Sequence, residues 1–248
     1  FNSQEVIEIM DTCFNCKQCI QGCPSNVNIP KIVMEAKARY HQSHGLELGK
    51  WFFVRSETWL KLGRYVAPAA NMLIDSSVFR WLLEKTIGVD RRRTLPKIKQ
   101  WRVRRRFTPS EHSARPKVVL YLDLFARYNA PEIAQAAVDV LEHNGFEVEI
   151  PEVPWTNMPA LENGMVMECR DNINAIAKVL APYAFRGVPI VTTESTACLS
   201  MREDFLYYVD TPETRVLSRR VVEIGEFLME LHRNRKLKTD FSPVSMTF

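Results

Sequence analysis

The chain has 248 residues, 46% of them hydrophobic and 25% charged, with a formal net charge of +4. These proportions exclude a disordered or fibrous chain and fit either one large domain or a small module joined to a medium one. No apolar run reaches the roughly 18 residues of a membrane-spanning helix, and the six cysteines are too few to staple a chain of this size with disulfides.

No signal-peptide pattern opens the sequence, so the expected compartment is reducing and cytoplasmic, where clustered cysteines usually mean metal. The chain opens on Phe1 and closes on "SPVSMTF", which reads as an entering strand. Both ends suggest a piece of a longer protein.

Residues 1–45 form a cysteine module. Ser3 is placed to cap a short helix, "QEVIEIMDT", and Asn28 to cap a second, "IPKIVMEAKARYHQ", with Pro30 in its first turn and Gly45 beyond its end. Residues 46–89 read as helical and rich in large apolar side chains. Pro68 breaks this stretch, and Ser76 or Ser77 caps its last helix. Residues 90–116 hold three prolines and dense positive charge, the mark of a linker or extended arm.

From Lys117 strand and helix patterns alternate. "VVLYLD", "FEVEI" and "VPIVTT" read as strands. The helix "PEIAQAAVDVLEHNG" follows the first, with Ile133, Ala136, Ala137, Val140 and Leu141 on its apolar face and Gly145 as its stop. "GMVMECRDNINAIAKVLAPY", "TACLSMREDFLYY" and one long helix, "PETRVLSRRVVEIGEFLMELHRNRK", complete the helical layer. Such alternation predicts a short parallel sheet in an α/β domain over residues 117–248. The chain as a whole is α+β.

"CFNCKQCIQGCP" spaces Cys13, Cys16, Cys19 and Cys23 as C-x2-C-x2-C-x3-C-P. Soft thiolates suit zinc or an iron–sulfur cluster. Zinc sites usually come as two C-x2-C pairs separated by a longer arm, whereas three successive x2 spacings closed by Cys-Pro form the bacterial ferredoxin pattern. Unmetallated buried cysteines are the bland alternative. In two-cluster ferredoxins the cysteine before proline ligates the other cluster. On that pattern Cys13, Cys16 and Cys19 serve one [4Fe–4S] cluster and Cys23 serves a second. The missing ligands then come from Cys23 folding back, from Cys169 or Cys198 or, most simply, from a second such motif upstream.

"MDTCFNCKQCIQGCPSNVNIPKIVMEAKARYHQSHG" resembles the second iron–sulfur motif of the FAD-linked oxidase and iron–sulfur oxidoreductase family. That family includes D-lactate and glycolate oxidases, D-2-hydroxyglutarate dehydrogenases and the iron–sulfur subunit of anaerobic glycerol-3-phosphate dehydrogenase. The resemblance continues through "VVLYLDLFARYNAPEIAQAAVDVLEHNGFEVEIP" and "GVPIVTTESTACLSMREDF". It implies a ferredoxin-like module here, an FAD domain or subunit elsewhere, and a cysteine-rich CCG-type domain over 117–248.

The second half departs from the family pattern. The paired cysteines after the second strand are replaced by "PEVPWTNMPALENG", and Asp123 stands where many members carry a cysteine. Only Cys198 matches a family cysteine. The carboxyl ends of parallel strands form a ligand crevice, so Asp123, Trp155 and Cys198 are expected to approach one another there, without a metal. Cys198, near a helix start, is a candidate thiolate nucleophile or a buried inert thiol, and Cys169 is expected in the core.

Nine of the sixteen residues from Arg91 to Arg106 are Lys or Arg and none is acidic. No nucleic-acid recognition fold accompanies the run. That leaves a membrane-surface contact or a linker solvated and packed on acidic patches. The aromatics at 51–53, 59, 79 and 81 form either an interfacial helix face or core.

The leading functional expectation is an electron-transfer segment. It passes electrons from FAD, which oxidises a small 2-hydroxy acid or glycerol 3-phosphate, through [4Fe–4S] clusters to a quinone or another iron–sulfur protein. The expected location is cytoplasmic, with peripheral contact at the inner membrane. The alternatives are a heterodisulfide-reductase-like thiol redox subunit and a metal-stabilised docking scaffold.

Overall fold

A computed structural model describes residues 3–100, 102–107 and 114–240. The strand expected in "SPVSMTF" lies outside the described residues. In chain order the helices before the sheet are α1 (Gln4–Asp11), α2 (Gln18–Gln21), α3 (Ile29–His44), α4 (Leu48–Val54), α5 (Ser56–Gly63), α6 (Ala67–Asp75) and α7 (Ser77–Ile87). There follow β1 (Lys117–Tyr121), α8 (Leu124–Tyr128), α9 (Pro131–His143), β2 (Glu147–Glu149), α10 (Met158–Glu162), α11 (Val166–Phe185) and β3 (Ile190–Thr192). The remainder is α12 (Ser195–Leu199), a π-helical turn at Ser200–Asp204, α13 (Phe205–Tyr208), α14 (Pro212–Arg220), β4 (Val221–Glu223) and α15 (Ile224–Arg233). The α+β class and the short parallel sheet follow the sequence pattern.

The chain divides into two compact units. The first comprises residues 1–98 with 156–174, and the second 99–155 with 175–248. Residues 156–174, which the sequence places after the second strand, therefore pack with the cysteine-bearing half.

In the first unit the α3 cap forms as expected. The Asn28 side chain accepts the Lys31 N–H at 3.2 Å, a proline occupies the first turn, and Gly45 ends the helix at φ +79°. Ser3 holds the cap position of α1 but makes no side-chain cap bond. Pro68 sits in the first turn of α6, where its missing N–H costs nothing, so it starts that helix. The segment from α4 to α7 leaves large apolar side chains outside, with Tyr65, in the turn between α5 and α6, Met72 and Val78 each more than two-thirds exposed.

In the second unit the strands run in the order β2-β1-β3-β4, all parallel, with Val119 opposite Ile190 and Ile190 opposite Val221. Val118, Leu120 and Leu122 alternate onto one face, where they pack with Ala134, Val138 and Leu141 of α9 and Phe227 and Leu231 of α15. Each fully buried aliphatic side chain of this kind contributes about 1.5–3 kcal/mol.

Two elements depart from expectation. The long C-terminal helix is two helices with a fourth strand between them, because the β-branched pair Val221–Val222 pairs in parallel with Ile190 and Val191. The apolar face of α9 is also rotated. Ala134, Ala137, Val138 and Leu141 are buried, Ile133 and Ala136 are exposed, and Val140 is half-buried.

The polar Gln135 and Glu142 are buried on α9 because the basic arm lies against them. Gln135 exchanges two hydrogen bonds with the Arg104 backbone, and Glu142 accepts the Arg106 and Phe107 N–H groups at 2.6 and 3.3 Å. Over residues 102–107 the arm is thus a clamped extended segment. Farther back, Arg91, Arg92 and Lys97 pair with Glu84, Asp90 and Asp75. No helix among the described residues is long and apolar enough to cross a membrane.

Candidate metal centre

The cysteine loop begins where α1 stops. The Thr12 hydroxyl folds back onto the Ile9 carbonyl at 2.7 Å, and the Cys13 N–H donates to Met10 O at 3.0 Å. Asn15, Lys17 and Asn26 then take left-handed backbone conformations, at φ +57°, +60° and +51°. For residues other than glycine this costs roughly 1–2 kcal/mol each, with Asn the most tolerant. Three such residues let a short segment reverse repeatedly around its cysteines. The single turn α2 follows, and the Asn26 N–H closes onto Cys23 O at 3.0 Å just before the α3 cap.

Helix α3 braces this loop. Lys37 is only 3% exposed, and its ammonium donates to the Cys13 carbonyl at 3.4 Å while pairing with Asp11 at 3.4 Å. A buried ammonium is stable only when paired. Burial alone would raise the Asp11 carboxyl, but the Lys50 and Lys37 charges outweigh it and hold Asp11 below the usual carboxylate range. On another side, α3 is approached by Gly164 (φ +69°), at which a Cβ would lie 2.5 Å from both Met34 O and Ala38 N. Only glycine permits that approach with that backbone.

None of the four motif cysteines is in a disulfide. Cys16 and Cys19 are exposed, and Cys13 and Cys23 are partly buried. The donor set suits a soft metal or an iron–sulfur cluster in kind. In placement, among the described residues no three His, Cys, Asp or Glu side chains gather closely enough to hold an ion. Thiolates converge when a cation compensates their mutual repulsion, so ligation and local folding are coupled. The Cys23 Sγ accepts the Val27 N–H at 3.4 Å. Among the described residues no donor reaches the sulfurs of Cys13, Cys16 or Cys19.

Between the first two cysteines lies a polar side chain that motif reasoning passed over. Asn15 is 8% exposed, and neither its amide nitrogen nor its amide oxygen has a hydrogen-bond partner among the described residues. An unsatisfied buried amide costs about 1–3 kcal/mol, in addition to the backbone cost at the same residue.

In the second unit Asp123, Trp155 and Cys198 are all buried and follow the carboxyl ends of β1, β2 and β3 respectively. Asp123 caps α8 by accepting the Leu124 N–H at 2.9 Å. The side chain set electrostatically against Asp123 is Glu194, which accepts the Ala126 N–H at 3.4 Å. Burial first, and the Asp123 charge second, push the Glu194 carboxyl up to about 7. The sequence offered "ESTACLS" for its cysteine, yet its glutamate carries the larger perturbation. Burial pushes the Cys198 thiol up, the opposite of what an activated nucleophile needs, and Cys169 is core. Two open pockets of about 360 and 420 Å³ lie along the seam of arm and α9, and no cysteine lines either.

No family model matches the chain, and no solved structure matches it. Among curated proteins it is similar to the C subunit of the anaerobic glycerol-3-phosphate dehydrogenase of Escherichia coli (strain K12). The identity is 25% over 187 residues, covering 73% of this chain and 47% of that protein. It is also similar to D-2-hydroxyglutarate dehydrogenase of the same organism, at 24% over 222 residues, which is 82% of this chain and 21% of that protein. The same enzyme of Pseudomonas putida is 23% identical over 221 residues, again 82% of this chain and 21% of that protein. The chain thus spans about half the length of the first relative and about a fifth of the others.

Proposed function

The chain is related to the FAD-linked oxidase and iron–sulfur oxidoreductase family, and from that premise we propose that it is the iron–sulfur electron-transfer segment of a flavin-dependent dehydrogenase. The observation that carries this reading is the loop of residues 13–24: four free thiols at ferredoxin spacing on a backbone reversed by left-handed residues. Cys13, Cys16 and Cys19 hold one [4Fe–4S] cluster, and Cys23 serves a second whose other ligands lie outside this chain. Clusters bound there supply one-electron transfer from FAD, carried by another domain or subunit, to a quinone or a further iron–sulfur protein. The substrate at the flavin is a small 2-hydroxy acid or glycerol 3-phosphate.

The chain's own residues supply the setting. The Lys37 ammonium, fixed on the Cys13 carbonyl, adds positive charge beside a set of anionic thiolates. The Val27 N–H gives Cys23 a donor. The catalytic step of the dehydrogenase lies with the flavin part.

Residues 46–98 support peripheral contact with the cytoplasmic face of the inner membrane. They combine ten Lys and Arg against five Asp and Glu with exposed aromatic and aliphatic side chains such as Trp81 and Met72. Salt-sensitive co-flotation of the protein with anionic vesicles, and none with neutral ones, is the expected result for that contact.

Low-temperature EPR and metal analysis of the anaerobically purified, dithionite-reduced full-length protein test the central reading. Cubane-type signals, with one lost on Cys16→Ser, are expected. Stoichiometric zinc without iron would sink the electron-transfer reading and favour a docking scaffold.

A further inference from the structure

We propose that Asn15 is the hydrogen-bond donor to the sulfur of the cluster held by Cys13, Cys16 and Cys19, a positioning residue that raises that cluster's reduction potential. The inference rests on the iron–sulfur reading above and goes beyond it by assigning a residue that no cysteine motif contains.

The argument begins with the backbone. Asn15 holds φ +57°, a conformation that explains the choice of asparagine over most residues. It does not explain the choice over glycine, which takes that backbone without strain and brings no polar group into the interior. Left-handed asparagines ordinarily satisfy their amides on nearby backbone or in water. The amide of Asn15 does neither among the described residues, and it is 8% exposed. Buried polar groups in folded proteins are overwhelmingly paired, so an orphan amide at a ligand loop marks a missing partner.

The same loop has the complementary deficit. Cys23 already receives the Val27 N–H, whereas no donor reaches the sulfurs of Cys13, Cys16 and Cys19 among the described residues. The neighbouring buried cation, Lys37, directs its ammonium to Asp11 and to the Cys13 carbonyl and not to a sulfur. Asn15 follows Cys13 by two residues and immediately precedes Cys16, and it is the only residue between these two ligands whose side chain can donate a hydrogen bond. Donors to cluster sulfur withdraw electron density from iron and favour the reduced state.

The test is an EPR-monitored redox titration of the anaerobic full-length protein, comparing the native chain with Asn15→Gly, Asn15→Ser and Asn15→Asp. Glycine keeps the backbone and removes the donor, serine restores a shorter donor, and aspartate replaces the donor with an anion. One cluster signal is expected to shift to lower potential in the glycine variant, less in the serine variant and most in the aspartate variant, while the other signal holds still. Assembly of the cluster with serine but not with glycine also supports the donor role. Equal midpoint potentials in native, glycine and serine proteins overturn the inference while leaving the iron–sulfur reading intact. Equal loss of the cluster in the glycine and serine variants overturns it as well. Absence of any cluster from the native protein overturns both together.

Discussion

The two units place their polar chemistry by opposite means. In the first, the cysteines sit on a short loop reversed at Asn15, Lys17 and Asn26, partly exposed, with no three of them gathered into an ion site. In the second, Asp123 and Glu194 follow the ends of neighbouring strands β1 and β3, whose residues Val118 to Leu120 and Ile190 to Val191 are 0% exposed. A rigid parallel sheet can hold two carboxyl groups together against their repulsion because its packing far outweighs that cost. A loop has no such reserve, so its ligands converge only when a ligand supplies the energy. The loop depends instead on the helix behind it.

That dependence gives the largest expected effect. Gly164→Ala puts a methyl group 2.5 Å from Met34 O and Ala38 N on α3 and forces alanine to φ +69°. The left-handed backbone costs about 1–2 kcal/mol and the overpacking about 1–3 kcal/mol, together about 4 kcal/mol. The unfolding transition of the first unit should fall by about 15 °C in a calorimetric scan. Hydrogen exchange should quicken in α3 and in the Cys13–Cys23 loop that Lys37 ties to it, and remain native along β1 and β3. A change confined to α10 and α11, with α3 exchange unaltered, would show that the loop does not depend on this brace.

What the sequence disclosed follows the same division. The cysteine spacing, the Asn28 cap and the Gly45 stop are local signals, each complete within a few residues, and each was legible. The strands β1, β2 and β3 were legible as apolar runs between turn residues. Strand β4 was not, because Val221–Glu223 lies inside a segment of helical character and becomes a strand only through its pairing with β3. The α9 face was misread because Gln135 and Glu142, polar in sequence, are buried by backbone bonds from an arm some thirty residues upstream. The role of Gly164 depends on α3, more than a hundred residues away in sequence, and Glu194 becomes unusual only when β3 lies beside β1. Asn15 could have drawn attention as an asparagine between two ligand cysteines, but its burial and lack of partners are properties of the folded loop.

The strand-end pair yields a smaller and pH-dependent effect. The Glu194 carboxyl stands at about 7 in the folded chain against an ordinary 4.5. Between those values the unfolded chain has released its proton and the folded chain has not. Folding therefore takes up a proton, and stability falls as pH rises across that window. The displacement corresponds to about 3 kcal/mol at full burial. Glu194 is only partly buried, so solvent screening reduces this to about 2 kcal/mol. Glu194→Gln keeps an acceptor for the Ala126 N–H and cannot ionise. Its stability relative to the native chain should therefore improve by about 2 kcal/mol between pH 5 and pH 8, measured by urea unfolding at each pH. All other titratable groups are common to both proteins and cancel in the difference. Asp123→Asn should give a shallower version of the same change, since it removes the second cause of the shift and leaves burial, the first. A native-minus-variant difference that stays flat with pH would mean that the strand ends do not force the two carboxyl groups together, and the contrast with the cysteine loop would lose its physical basis.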